Sequence, residues 1–121
     1  MGLIKIQHRI EANRKLLADK HTQLEEFAQK RAEAEADYER QLAVTLIKLR
    51  NKKAFELDGE LIKDPPATYA KDIAKGICWE AKLKQEATAG KYKATLERIQ
   101  SLRTAINADQ SILKYMEEAE T

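Results

Sequence analysis

The chain is poor in everything that interrupts a helix. It has two prolines, four glycines and one cysteine in 121 residues. Between Leu3 and Leu57 there is neither glycine nor proline. Nothing in that stretch breaks an α-helix, and one unbroken helix there would be about 80 Å long at ~1.5 Å per residue. The lone cysteine, Cys78, excludes an intramolecular disulfide and fits a reducing cytoplasm. The chain becomes charged at Lys5, so no secretory signal is expected, and no apolar run is long enough for a membrane span.

Reactive constellations are missing as well. His8 and His21 are the only histidines, and neither has a partner at a metal-helix spacing such as His-Glu-x-x-His. There is no glycine-rich phosphate loop, no Gly-x-Ser-x-Gly and no Glu-x-x-His pair for a di-iron site. Cys78 has no histidine nearby in sequence and reads as a small buried residue. These absences predict a protein that is not an enzyme, with no metal and no cofactor.

What the chain does have is charge and aliphatic side chains. It is 43% hydrophobic and 35% charged, with 22 basic and 20 acidic residues. Abundant Ala, Glu, Lys, Leu and Arg with 6% aromatics predicts long helices or a coiled coil. A net charge of +2, with both signs interspersed, describes a solvated helical surface and argues against nucleic acid.

One break divides the chain. The connector at 57–65 contains Asp58-Gly59, a turn dipeptide, and runs into Pro65-Pro66. Asp64 is the expected cap of the following helix, with Pro65 or Pro66 opening it and Thr68 as the rival. Leu57, Leu61 and Ile62 are expected to close over the end of the helix pair, with a short β-like excursion as the weaker reading. The arms at about 3–56 and 66–120 are nearly equal in length. The fold predicted is all-α: a long antiparallel helical hairpin in a single domain at 1–121, assembling into a helical bundle.

The first arm carries a seam. Leu3, Ile10, Leu17 and Leu24 recur every seven residues, with Ile6 and Phe27 in the alternate position and Asn13 and Lys20 interrupting it. Beyond Phe27 the seam becomes alanine-rich (Ala28, Ala32, Ala34, Ala36), then Tyr38 leads to a wider face of Leu42, Ala43, Leu46, Ile47 and Leu49. Lys48, Arg50, Lys52 and Lys53 form the densest basic patch. Cations at a helix C-terminus oppose the macrodipole, and this is the preferred reading over a phosphate contact.

In the second arm Tyr69, Ile73, Gly76, Leu83 and Ala87 share a stripe, and Gly90 marks a possible break at 89–91. From Tyr92 two heptad columns follow. Tyr92, Ile99, Ile106 and Leu113 form one, and Thr95, Leu102, Asp109 and Met116 the other, with Leu96 and Ile112 widening the stripe. Asp109 is the candidate register-setting polar residue, or else faces solvent. The acidic end Glu117-Glu118-Ala119-Glu120 opposes the helix dipole, and Arg9, Arg14 and Lys15 are expected to offset it.

The most site-like constellation is Trp79 with Tyr69, Lys71, Lys75 and Lys82, joined by Tyr92 at the start of the last helix. Aromatics beside cations can anchor a protein partner or hold a base and a phosphate. A core Trp79 with solvated lysines is the preferred reading of the same residues.

The stretches Tyr92-Lys93-Ala94-Thr95-Leu96-Glu97-Arg98-Ile99 and Gln110-Ser111-Ile112-Leu113-Lys114-Tyr115 resemble small helical proteins encoded by temperate phages and prophages, over the last quarter of the chain. The resemblance implies a small accessory protein that acts by binding. Such a protein binds and blocks a host protein, sequesters a nucleotide-like immune signal as an oligomeric sponge, or assists DNA transactions. A two-helix hairpin alone buries little surface, so self-association into a homodimer or higher oligomer is expected. A monomeric three-helix bundle is the alternative if Gly90 is a turn.

Overall fold

A computed structural model describes residues 2–51, 55–62 and 65–120. The elements are α1 (Leu3–Arg50), β1 (Phe55–Leu57), β2 (Glu60–Ile62), α2 (Ala67–Ile77) and α3 (Trp79–Glu120). The fold is all-α, with two long antiparallel helices and one small β-hairpin between them. No described helix is long and apolar enough to cross a membrane. The residues group into two compact units, Met1–Ala28 with Lys91–Thr121, and Gln29–Gly90.

In the first unit the heptad positions are the buried ones. Ile6, Ile10 and Ile106 form the core, with Leu17, Leu113 and Met116 packed against them. Leu24, Phe27, Tyr92 and Leu96 are half-buried, and Thr95, Ile99 and Leu102 are buried. The interrupting Asn13 and Lys20 keep their seam positions half-buried. Lys20 reaches out of the seam to the Gln23 side chain at 3.1 Å. Thr95 is tolerated inside because its hydroxyl donates to the Lys91 carbonyl at 2.8 Å, one turn back. Ile112 does not widen the buried stripe; it is 44% exposed.

In the second unit the core is made of small residues. Ala70, Ala74, Cys78 and Ala81 are buried at spacings of four, four and three. Tyr38 packs against Cys78 and Ala81, with Leu42 beside them. A ring as large as Tyr38 fills the space between close-packed helices only where the facing side chains are small. The stripe expected on this arm therefore lies on the other side: Tyr69, Leu83 and Ala87 are exposed, while Ile73 and Gly76 are half-buried. Of the alanines expected in the first arm's seam, Ala34 is buried and Ala28 half-buried, while Ala32 and Ala36 face solvent. Leu49 and Thr45 are buried, Leu42 and Leu46 half-buried, and Ala43 and Ile47 exposed, so the wide face narrows to a seam.

The connector is more ordered than a plain loop. β1 and β2 pair antiparallel with Leu57 opposite Glu60, leaving Asp58-Gly59 as a two-residue turn. Both turn residues have positive φ, 50° and 81°. That is the type I′ pattern Asp-Gly favours. The hairpin leans on α2 through Leu57, whose Cδ2 lies 3.6 Å from where a Cβ on Gly76 would be. Gly76 thus admits a hairpin side chain. Leu61 does not close over anything; it is 62% exposed. The first arm ends its helix at Arg50, short of the expected 56. Pro66 sits at the N-cap of α2 without a side-chain cap, and Asp64 lies outside the described residues.

The break anticipated at 89–91 is not there: α3 runs through Gly90, which is exposed and has nothing within reach of an added Cβ. The interruption falls at Cys78, with φ −91° and ψ 22°. Even so, the Cys78 N–H donates to Ala74 and the Lys82 N–H to Cys78, at 3.0 and 3.1 Å. Helical hydrogen bonding, and with it the helical periodicity of the side chains, carries across this residue.

Candidate protein-interaction surface

The face of α2 and early α3 away from Ala70, Ala74 and Ala81 carries the large side chains. Tyr69, Gly76 and Leu83 fall on one seven-residue row, and Asp72, Trp79 and Glu86 on the neighbouring one. Tyr69 is 60% exposed, Trp79 54% and Leu83 60%. Trp79 and Leu83 are one turn apart and so adjoin on the helix surface. The reading of Trp79 as a core residue is overturned, because the Ala and Cys face takes the interior.

The lysines are placed unevenly around this stripe. Lys75 and Lys82 border its Trp79 row, and Lys71 lies further round toward the buried face; all three are exposed. Lys82 is held in place, with its Nζ 5.2 Å from the centre of the Tyr38 ring, 3.7 Å from Glu86 Oε1 and 3.3 Å from Gln85 Oε1. Lys75 and Lys71 make no hydrogen bond or ion pair among the described residues. Tyr92 belongs to the first unit and is half-buried in its heptad column, so five of the six residues of the expected site are in the second unit. Lys48 and Arg50 are exposed in the last turn of α1, as the macrodipole reading requires, and Lys52 and Lys53 lie outside the described residues.

Other chemistry is sparse. No group of three or more His, Cys, Asp or Glu among the described residues can hold a metal. Cys78 is buried, with its Sγ 3.5 Å from Thr45 Oγ1. His21 is half-buried and accepts from Arg103 at Nε2, 3.4 Å away, since a guanidinium can only donate. His8 is exposed. The first unit has an open groove of about 580 Å³ lined by Gln7, His8, Arg14, Gln110, Lys114 and Glu117 among others. Glu11 and Glu117 balance Arg14 and Lys114 there, so the groove has no strong preference for an anion.

The seven-residue rows of the outward stripe are visible in the sequence, since Leu83 repeats Tyr69 and Gly76. The size contrast with Ala70, Ala74 and Ala81 is the signal that tells which side faces in, and hydrophobicity alone overlooks it. No protein-family model, curated protein or solved structure matches the chain.

Proposed function

We propose that this chain is a non-enzymatic helical interaction protein that binds and blocks a protein partner through the outward stripe of its second unit. The observation that supports this reading is the exposure of Tyr69, Trp79 and Leu83 on a helix whose buried face is built from alanine and cysteine. Exposed aromatic and aliphatic side chains grouped on one face are the usual anchors of a protein interface. The resemblance to phage accessory proteins favours a host protein as the partner. The test is affinity capture from the lysate of the native cell with wild type and with Trp79→Glu/Leu83→Glu, compared by quantitative mass spectrometry. A protein held by wild type and lost by the variant is expected; capture indifferent to the variant, or no specific capture, refutes the reading.

Self-association is the second reading, and a different surface favours it. Ile4, Ile112 and Tyr115 in the first unit are 67%, 44% and 73% exposed. A second copy covering them would yield a homodimer or larger bundle. Light scattering on wild type and on Ile112→Lys/Tyr115→Lys distinguishes this reading, which requires an oligomer that the substitutions dissociate. The nucleotide sponge has no comparable support, because Tyr69 and Trp79 stand open to solvent and do not line an enclosed site. The nucleic-acid reading likewise gains nothing from Lys48 and Arg50, which their helix end accounts for.

A further inference from the structure

The open groove of the first unit carries charges of both signs in a symmetric order. α1 and α3 run antiparallel and Arg9 is paired with Asp109, so each step forward along α1 is matched by a step back along α3. Followed from the start of α1, the groove presents Glu117, then Lys114, then Gln7, His8 and Gln110 together, then Glu11 and last Arg14. The order is acid, base, uncharged centre, acid, base. Lys114 and Glu11 stand at about equal distances from that centre, and so do Glu117 and Arg14. All four are exposed, and none makes a hydrogen bond or ion pair among the described residues. The floor has the same symmetry, with Leu113 and Ile10 on either side of the centre. Ile4, 67% exposed, is one turn before His8 and so stands at the rim.

We infer that a second copy of this chain covers the groove, turned end for end about a two-fold axis at Gln7, His8 and Gln110. That operation brings Arg14 to Glu117 of the partner subunit and Lys114 to Glu11 of the partner subunit. It lays Ile10 level with Leu113 of the partner subunit, and the symmetry makes each contact twice. The central amides and imidazole can donate to and accept from one another across the axis. Copies docked in the same direction would set each acid and each base beside its own counterpart, which like-charge repulsion disfavours. Within one chain Arg14 is about 20 Å from Glu117 along the seam, at ~1.5 Å per residue, so these two meet only between copies. The arrangement also supplies a cation to the acidic last turn of α3, the end of a helix where a cation is favoured. The inference rests on the self-association reading and gives it a face and a direction. Ile4 borders this face, whereas Ile112 and Tyr115 do not line it.

The experiment exchanges charges in the full chain. Arg14→Glu sets two acids together across the axis and Glu117→Arg two bases, in each case at both ends of the interface. Both positions are exposed, and an unchanged circular dichroism spectrum checks the fold of each variant. Sedimentation velocity is expected to show wild type self-associating, several-fold more weakly as salt is raised. Each variant alone is expected to dissociate. An equimolar mixture of the two variants is expected to associate again, because each chain then offers the charge that the other requires. Mixing changes no contact within a chain, so a folding defect in either variant would not be rescued this way. Variants that dissociate and stay apart on mixing overturn the end-for-end pairing. An oligomer indifferent to both charge variants overturns this face; if Ile112→Lys/Tyr115→Lys dissociates that oligomer, the self-association reading stands on its other surface. A monomeric wild type overturns the inference and the self-association reading together, and leaves the groove to a different occupant.

Discussion

Arg9 and Asp109, 100 residues apart in sequence, are joined by two parallel hydrogen bonds. Arg9 Nε donates to one carboxylate oxygen at 2.7 Å and Nη2 to the other at 2.6 Å. Asp109 is buried at 6% exposure, in a heptad column otherwise filled by Thr95, Leu102 and Met116. A bidentate guanidinium–carboxylate pair has one satisfactory geometry, so sliding α3 along α1 by a turn would strand a carboxylate inside the seam. The pair thus pins the register of the first unit.

The pair has a pH signature. Hydrogen bonds from Arg9, reinforced by its charge, hold the Asp109 carboxyl below the usual carboxylate range against the opposing effect of burial. A carboxyl whose folded value is lowered contributes stability that is fully present above its unfolded value of about 4 and disappears as pH falls through the lower folded value. Wild type should therefore lose melting temperature steeply on strong acidification. Asp109→Asn should melt several degrees lower at neutral pH and show a shallower acid dependence. Circular dichroism melts across the acid range check both; equal slopes would detach this pair from acid unfolding.

Gly90→Ala should raise stability by about 1 kcal/mol, the helix-propensity difference between the two residues. The position is exposed, helical and clear of neighbours, so the methyl meets nothing. Urea denaturation measures the change. A loss of stability would mean that the chain needs a flexible or broken helix at 90 in solution.

Gly59→Ala should act locally. At φ 81° an L-residue is strained by about 1–2 kcal/mol, and the turn has no other residue to absorb it. Hydrogen exchange should show faster opening of the amides of β1 and β2 while the α1 and α3 amides of the first unit stay protected. Acceleration spread evenly over the chain would contradict a hairpin that opens on its own.

Ile6 and Ile4 form a matched pair for testing the seam. Ile6 is 1% exposed and Ile4 67%. Ile6→Ala should destabilise by about 2–5 kcal/mol, as expected for a buried large-to-small change. Ile4→Ala should stay within about 0.5 kcal/mol as a surface substitution. Equal effects would place the core on another face of α1.

How legible these features are in the sequence depends on how many forces point the same way. In the last helix, seven-residue spacing, aliphatic identity and good helix formers agree, and the columns from Tyr92 to Met116 are readable from spacing alone. At Asp58-Gly59 the turn chemistry by itself fixes the place of the reversal, though three-residue strands are too short to leave a period-two pattern. Around Trp79 the cues conflict. Hydrophobicity points the large residues inward, whereas the Tyr38 ring opposite requires alanines, and packing across 33 residues of sequence between Thr45 and Cys78 is not a local property. Gly90 misleads because helix propensity is a weak local preference that tertiary packing overrides along a 42-residue helix. The partner of Asp109 is similarly out of sight: a buried acid demands a cation, but several basic residues near the chain's start qualify on sequence grounds.

The core of Ile6, Ile10 and Ile106 also sets a schedule for synthesis. A ribosome adding ~5–20 residues per second makes Ile106 about 5–20 s after Ile6. For that interval the leading turns of α1 have been made with their apolar column uncovered, long after a helix of that length can form on its microsecond timescale. The contacts around the Asp58-Gly59 turn close over short loops and are complete first. Nascent chains are thus most exposed to aggregation, and most open to a chaperone, at the stripe of Leu3, Ile6, Ile10 and Leu17 during the seconds before α3 has been translated.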